Sequence, residues 1–248
     1  MYQAIYLDQI GKAKYSVHLW DCKKGYSNFE WIKTCFVPDP NGTHTALDGK
    51  RVKEVSVIEG NDYGSTYEYD IPSDTKLLVK LYEDEDEPAT WQNRFYFDIE
   101  VSMEGELPNV SEGNNPITSI AYYDEPTNQY GVLILDELNE VQNRDTDGYK
   151  LIRFDSEEEL LQKFLEIWES ANPTIVTGWN IDFFDVPYLY NRLKVVLGKN
   201  HANRLSSVGI VKWNDKKERY FIAGVNSLDY LPIYKNFTFT QLSSYRLN

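Results

Sequence analysis

The sequence predicts an α/β fold: a mixed sheet flanked by helices, preceded by a small, mostly-β domain. Three observations carry that prediction. Downstream of residue 93 the hydrophobic pattern runs strand, hairpin, helix, strand, helix. Upstream, short apolar stretches alternate with Gly, Asn and Asp turns. Between the two lies an acidic block, Glu83-Asp84-Glu85-Asp86-Glu87, followed by Pro88, where charge repulsion and proline both oppose packing. The expected domains are therefore 1–92 and 93–248. The chain has 248 residues, 42% hydrophobic and 26% charged, enough for one large or two modest globular domains.

In the N-terminal part, 15–20 and 77–82 read as short strands. Residues 94–101 (RFYFDIEV) form a strand with Phe95, Phe97, Ile99 and Val101 on one face. Segments 117–123 and 130–135 flank a Pro/Asn-containing turn and suggest an antiparallel hairpin. Ser156 and Glu159 have capping-box spacing ahead of an apolar stripe of Leu160, Leu161, Phe164, Leu165 and Trp168, which marks a helix ended by Asn172-Pro173. Residues 174–178 read as a buried strand. A second helix starts near Asp185-Val186-Pro187 and stops at Gly198.

The formal charge is −14. No apolar run approaches the roughly 18 residues a membrane span needs, and the N-terminus lacks a signal-peptide pattern. Cys22 and Cys35 are too few for a disulfide framework or a zinc cluster. Secretion, membrane spanning and a cysteine-based metal site are thus disfavoured. The mean charge hides its distribution. Residues 192–219 carry Arg192, Lys194, Lys199, Arg204, Lys212, Lys216, Lys217 and Arg219 against only Asp215 and Glu218, a net of +6. That stretch reads either as a solvated helix-and-hairpin face or as a phosphate-binding patch.

Two features carry chemistry. Asp98 and Glu100 stand two apart on a strand, so alternation points both carboxylates to the same side. Paired carboxylates on an apolar strand either face solvent at an edge or hold a hard cation such as Mg²⁺ or Mn²⁺. The second feature, Gly178-Trp179-Asn180-Ile181-Asp182-Phe183-Phe184-Asp185, lies where a strand gives way to a helix, a frequent position for α/β sites. Asp185 serves there as helix N-cap, as site carboxylate, or as both. Phe183 and Phe184 read as core residues or as base-stacking platforms.

Together these stretches resemble the 3′–5′ proofreading exonuclease domain of family B DNA polymerases, most closely those of T-even-like bacteriophages. FDIEV at 97–101 looks like the first exonuclease motif, Asp-x-Glu. TGWNIDFFDVPYLYNRL at 177–193 looks like the second, Asn-x-x-x-Phe-Asp, met by Asn180, Phe184 and Asp185. SLDYLPIYKNFTFTQLSSYRL at 227–247 resembles the approach to the third. The likeness covers roughly 94–247 and rests mainly on domain order over 1–92.

The resemblance implies an RNase H-like domain that hydrolyses the 3′-terminal phosphodiester of single-stranded DNA with two Mg²⁺ or Mn²⁺ ions. In it Asp98 bridges both ions, Glu100 holds the water-activating one and Asp185 supports the second. Asn180, Phe183, Phe184, Arg192, Lys212, Lys216 and Lys217 would contact DNA. Implied partners are a single-stranded 3′ end, primer-template DNA through the rest of the polymerase and a polymerase-core chain, in the cytoplasm of a bacterial host. One departure stands out. The family's third metal-binding aspartate lies in a Tyr-x-x-x-Asp motif, and the only such spacing here, Tyr82 to Asp86, falls upstream in the acidic block. The expectation is a polymerase N-terminal region whose exonuclease domain is C-terminally incomplete. The alternatives are a split-polymerase subunit completed by a partner chain, or a non-catalytic single-stranded nucleic-acid-binding module.

Overall fold

A computed structural model describes residues 1–57, 66–238 and 244–245. The chain divides into two compact units, Met1–Thr90 and Trp91–Asn248.

In the first unit, β1 (Tyr2–Gln9), β2 (Lys14–Asp21) and β3 (Gly25–Ile32) form an antiparallel sheet. A second small sheet has the order β4 (Thr34–Pro38), β6 (Arg51–Ser56), β5 (His44–Thr45). Residues 77–82, read from sequence as a strand, belong instead to helix α1 (Ser73–Tyr82), which opens directly after Pro72. A short apolar run does not distinguish strand from helix by itself. Packing decides here, because the helix buries Leu77 against Val17 and Leu19 of β2.

The second unit is built on a seven-stranded mixed sheet. Its strands are β7 (Arg94–Val101), β8 (Ile117–Asp124), β9 (Gln129–Leu135), β10 (Arg144–Thr146), β11 (Tyr149–Phe154), β12 (Ile175–Gly178) and β15 (Asn226–Asp229). The order is β10-β11-β9-β8-β7-β12-β15. β7 is thus an interior strand, antiparallel to β8 and parallel to β12.

Its alternation is complete: Phe95, Phe97 and Ile99 are buried while Tyr96, Asp98 and Glu100 point to the other face. The buried face meets α2 (Glu157–Ala171), whose five core side chains are those of the predicted stripe. Each such burial is worth about 1.5–3 kcal/mol. Phe95 stacks on Tyr122 and meets Phe164 and Trp168 edge-on. The Ser156 hydroxyl caps α2 by accepting the Glu159 N–H, and left-handed Asn172 ends it. Helix α3 (Asp185–Val196) buries Val186, Tyr188, Leu189 and Leu193 in the same core. After it come the short α4 (Lys199–Ala202), the hairpin β13 (Val211–Asn214) and β14 (Arg219–Ile222), and finally α5 (Tyr230–Phe237).

Candidate active site

β12 runs beside β7 only as far as the pair Thr177–Tyr96. Beyond that point the N–H of Ile99, on the β12 side of the strand, has no ladder partner. Gly178 turns the chain away there. A Cβ at this position would lie 2.3 Å from the Ile181 side chain and 3.0 Å from the Phe97 carbonyl, so only glycine allows so close an approach. The loop then re-enters as α3, and the Ile99 N–H donates to Asp185 Oδ1 at 3.0 Å. The side chain of Asp185 therefore takes the place of the missing strand.

This corrects the capping reading. Asp185 is already the first residue of α3, the N-cap position falls to Phe184, and no side chain caps the helix. Asp185 serves a strand, not a helix end.

The consequence is a buried carboxyl group, 3% exposed. Desolvation pushes its pKa up to about 7, against the Ile99 hydrogen bond, which lowers it, and with the nearby Asp98 charge, which raises it. Asp98 is also raised by desolvation.

Asp98, Glu100 and Asp185 line one cavity of about 470 Å³ at the carboxyl ends of β7 and β12. Asn180, Phe184, Ile99, Trp179, Leu231, Ser244 and Tyr245 complete the wall. Two strand carboxylates and one helix carboxyl offer hard oxygen donors, and the desolvated, like-charged pair Asp98–Asp185 is the environment a divalent cation relieves. In kind, the residues fit Mg²⁺ or Mn²⁺. Among the described residues, no three Asp, Glu, His or Cys groups are drawn together closely enough to hold an ion as they stand.

The other predicted residues separate. Phe184 lines the cavity and stacks on Tyr188, whereas Phe183 is 51% exposed and outside it. Arg192 departs from the DNA-contact expectation. Its guanidinium pairs with Glu157, both side chains 11% exposed, and donates to the carbonyls of Gly113 and Asn114. Arg204 pairs with Glu169 and Arg219 with Asp182. Carboxylates far away in sequence thus neutralise the three arginines of the basic stretch. Lys212, Lys216 and Lys217 are exposed on the β13–β14 hairpin, where the Asn214 side chain accepts the backbone N–H groups of both turn lysines.

Trp179, inside the second motif, is a wall residue that the motif pattern does not single out. Its indole N–H donates to the Tyr245 carbonyl at 2.8 Å, and its ring packs near Tyr230 and Tyr234. Of the stretch likened to the approach to the third motif, 239–243 and 246–247 lie outside the described residues.

Residues 50–248 match the model of the exonuclease domain of DNA polymerase family B. The chain belongs to that family. Among its relatives, the DNA-directed DNA polymerase of Escherichia phage RB69 is 32% identical over 213 residues, 74% of this chain and 22% of that protein. The DNA-directed DNA polymerase of Enterobacteria phage T4 is 43% identical over 115 residues, 44% of this chain and 13% of that protein. This family B chain therefore spans about a fifth of the RB69 relative's length. Its mixed sheet flanked by helices is the architecture the sequence predicts.

Proposed function

We propose that the second unit is a 3′–5′ exonuclease domain of a phage family B DNA polymerase, acting on the 3′-terminal phosphodiester of single-stranded DNA. The observation that carries this reading is the arrangement of the second motif. Asp185, hydrogen-bonded to Ile99 of the first motif's strand, faces the same cavity as Asp98 and Glu100. Family membership supports it.

Asp98, Glu100 and Asp185 are the residues that would hold Mg²⁺ or Mn²⁺. Bound there, such ions supply Lewis-acid stabilisation of the attacking and leaving oxygens. The chain's own contribution is placement. Burial and the Ile99 N–H fix one oxygen of Asp185, and the residue lines the cavity. Asn180 and Phe184 offer an amide and a ring face to a terminal nucleotide. The exposed lysines of the β13–β14 hairpin give the phosphate backbone an electrostatic track.

The test is release of the 3′-terminal nucleotide from a labelled single strand with Mn²⁺. The chain by itself is expected to cut poorly, because the family's third metal-binding aspartate, that of the Tyr-x-x-x-Asp motif, has no counterpart after the second motif in its sequence. Supplying a Tyr-x-x-x-Asp segment, within a longer chain or from a polymerase-core partner, raises the rate. Asp98→Ala abolishes it. Oligonucleotide binding without metal-dependent release under either condition would identify a binding module instead.

A further inference from the structure

We propose that Asp229 is a positioning residue of this site: its buried carboxylate holds the loop that presents Asn180 and delivers Asp185, without itself facing the cavity. This rests on the exonuclease reading above. Asp229 ends β15 in parallel register with Gly178 of β12. Its side chain is 6% exposed and accepts three backbone N–H groups. Oδ1 takes those of Leu231 and Asn180, each at 2.9 Å, and Oδ2 takes that of Asp182 at 3.3 Å.

Capping α5 needs only the Leu231 bond. The other two reach the loop between β12 and α3, 49 and 47 residues earlier in the chain. That loop needs holding. Asn180 sits at φ +64°, a left-handed conformation that a residue other than glycine adopts at some cost. Its carbonyl accepts the N–H groups of Phe183 and Phe184, closing a turn whose next residue is Asp185. A chain of bonds thus runs from Asp229 through Asn180 and Phe184 to Asp185 and on to Ile99. The Asp182 carboxylate does not compete, since Arg219 and Ser227 hold it.

Asp229→Asn keeps an oxygen for Asn180 and Leu231 but turns an amide toward the Asp182 N–H. Asp229→Ser keeps a cap for α5 and loses both loop bonds. Both variants are made in the full chain, and amide exchange, Mn²⁺ affinity and thermal unfolding are measured. The expected result is roughly tenfold faster exchange at Ile99 and roughly tenfold weaker Mn²⁺ binding, with exchange at Leu133, elsewhere in the sheet, unchanged. Wild-type values at Ile99 in both variants would overturn the proposal. So would a loss of protection at Leu133 equal to that at Ile99, which marks a merely structural role. If the wild-type chain binds no Mn²⁺, the exonuclease reading fails, while Ile99 exchange still decides whether Asp229 positions the loop.

Discussion

Asp185, at the first turn of α3, completes the hydrogen bonding of Ile99, a residue of a different element 86 positions earlier. That one bond joins the two sequence motifs. It also fixes a carboxyl group where solvent cannot stabilise its charge.

The first prediction follows from that burial. The folded pKa of Asp185, about 7, lies above its ordinary carboxylate value of 3.8. Its contribution to stability is therefore fully present below pH about 4 and is lost as pH rises through about 7. Asp185→Asn keeps an oxygen for the Ile99 N–H and removes the charge. Denaturant unfolding at pH 8 should show the variant more stable by on the order of 1–3 kcal/mol. Its Mn²⁺ affinity should fall.

Arg192 and the hairpin lysines should respond differently to substitution. Arg192→Met leaves Glu157 buried without its partner, which costs about 3–5 kcal/mol. Chemical denaturation measures that loss. The salt dependence of oligonucleotide binding should not change, because the guanidinium is turned inward.

Lys216→Glu with Lys217→Glu should do the reverse. The variant should unfold like the wild type and bind single-stranded oligonucleotides more weakly. The slope of log affinity against log salt should drop by about 1.4, for two lost phosphate contacts at about 0.7 each. Fluorescence anisotropy from 50 to 300 mM salt reads it, and an unchanged slope would show that these lysines do not touch the backbone.

A fourth prediction concerns the first unit. Burial raises the pKa of Asp21, but hydrogen bonds from the Tyr82 hydroxyl at 2.6 Å and from the Lys24 and Lys23 N–H groups outweigh it and hold it at about 2. That stabilisation is present above pH about 4 and is lost as pH falls through about 2. At pH 6, Asp21→Asn should be less stable by on the order of 1–2 kcal/mol. Melting curves of the two proteins should converge toward pH 2.

What the sequence discloses here is what local chemistry determines. Alternation alone marks 94–101 as a strand with Asp98 and Glu100 on one face, because an interior strand of this sheet buries only its other face. Ser156 and Glu159 place the start of α2 because a cap acts within one turn. The failures are all long-range. Residues 77–82 take helical form because β2 offers Leu77 a surface. Asp185 looks like a cap until the end of β12 leaves Ile99 unpartnered. The arginines of 192–219 look like part of a patch until Glu157, Glu169 and Asp182 arrive from elsewhere in the fold, whereas Lys212, Lys216 and Lys217 stay exposed. Asp229 gives no local sign of holding Asn180, since their bond spans 49 residues.

The central claim is that Asp98, Glu100 and Asp185 form one cation-binding site. Mn²⁺ titration of the whole chain, followed by electron paramagnetic resonance, tests it most directly when run beside Asp98→Ala and Asp185→Ala. The account predicts saturable binding to the wild type and at least about tenfold weaker binding to each variant, with circular dichroism unchanged. Equal Mn²⁺ binding by all three proteins would contradict it.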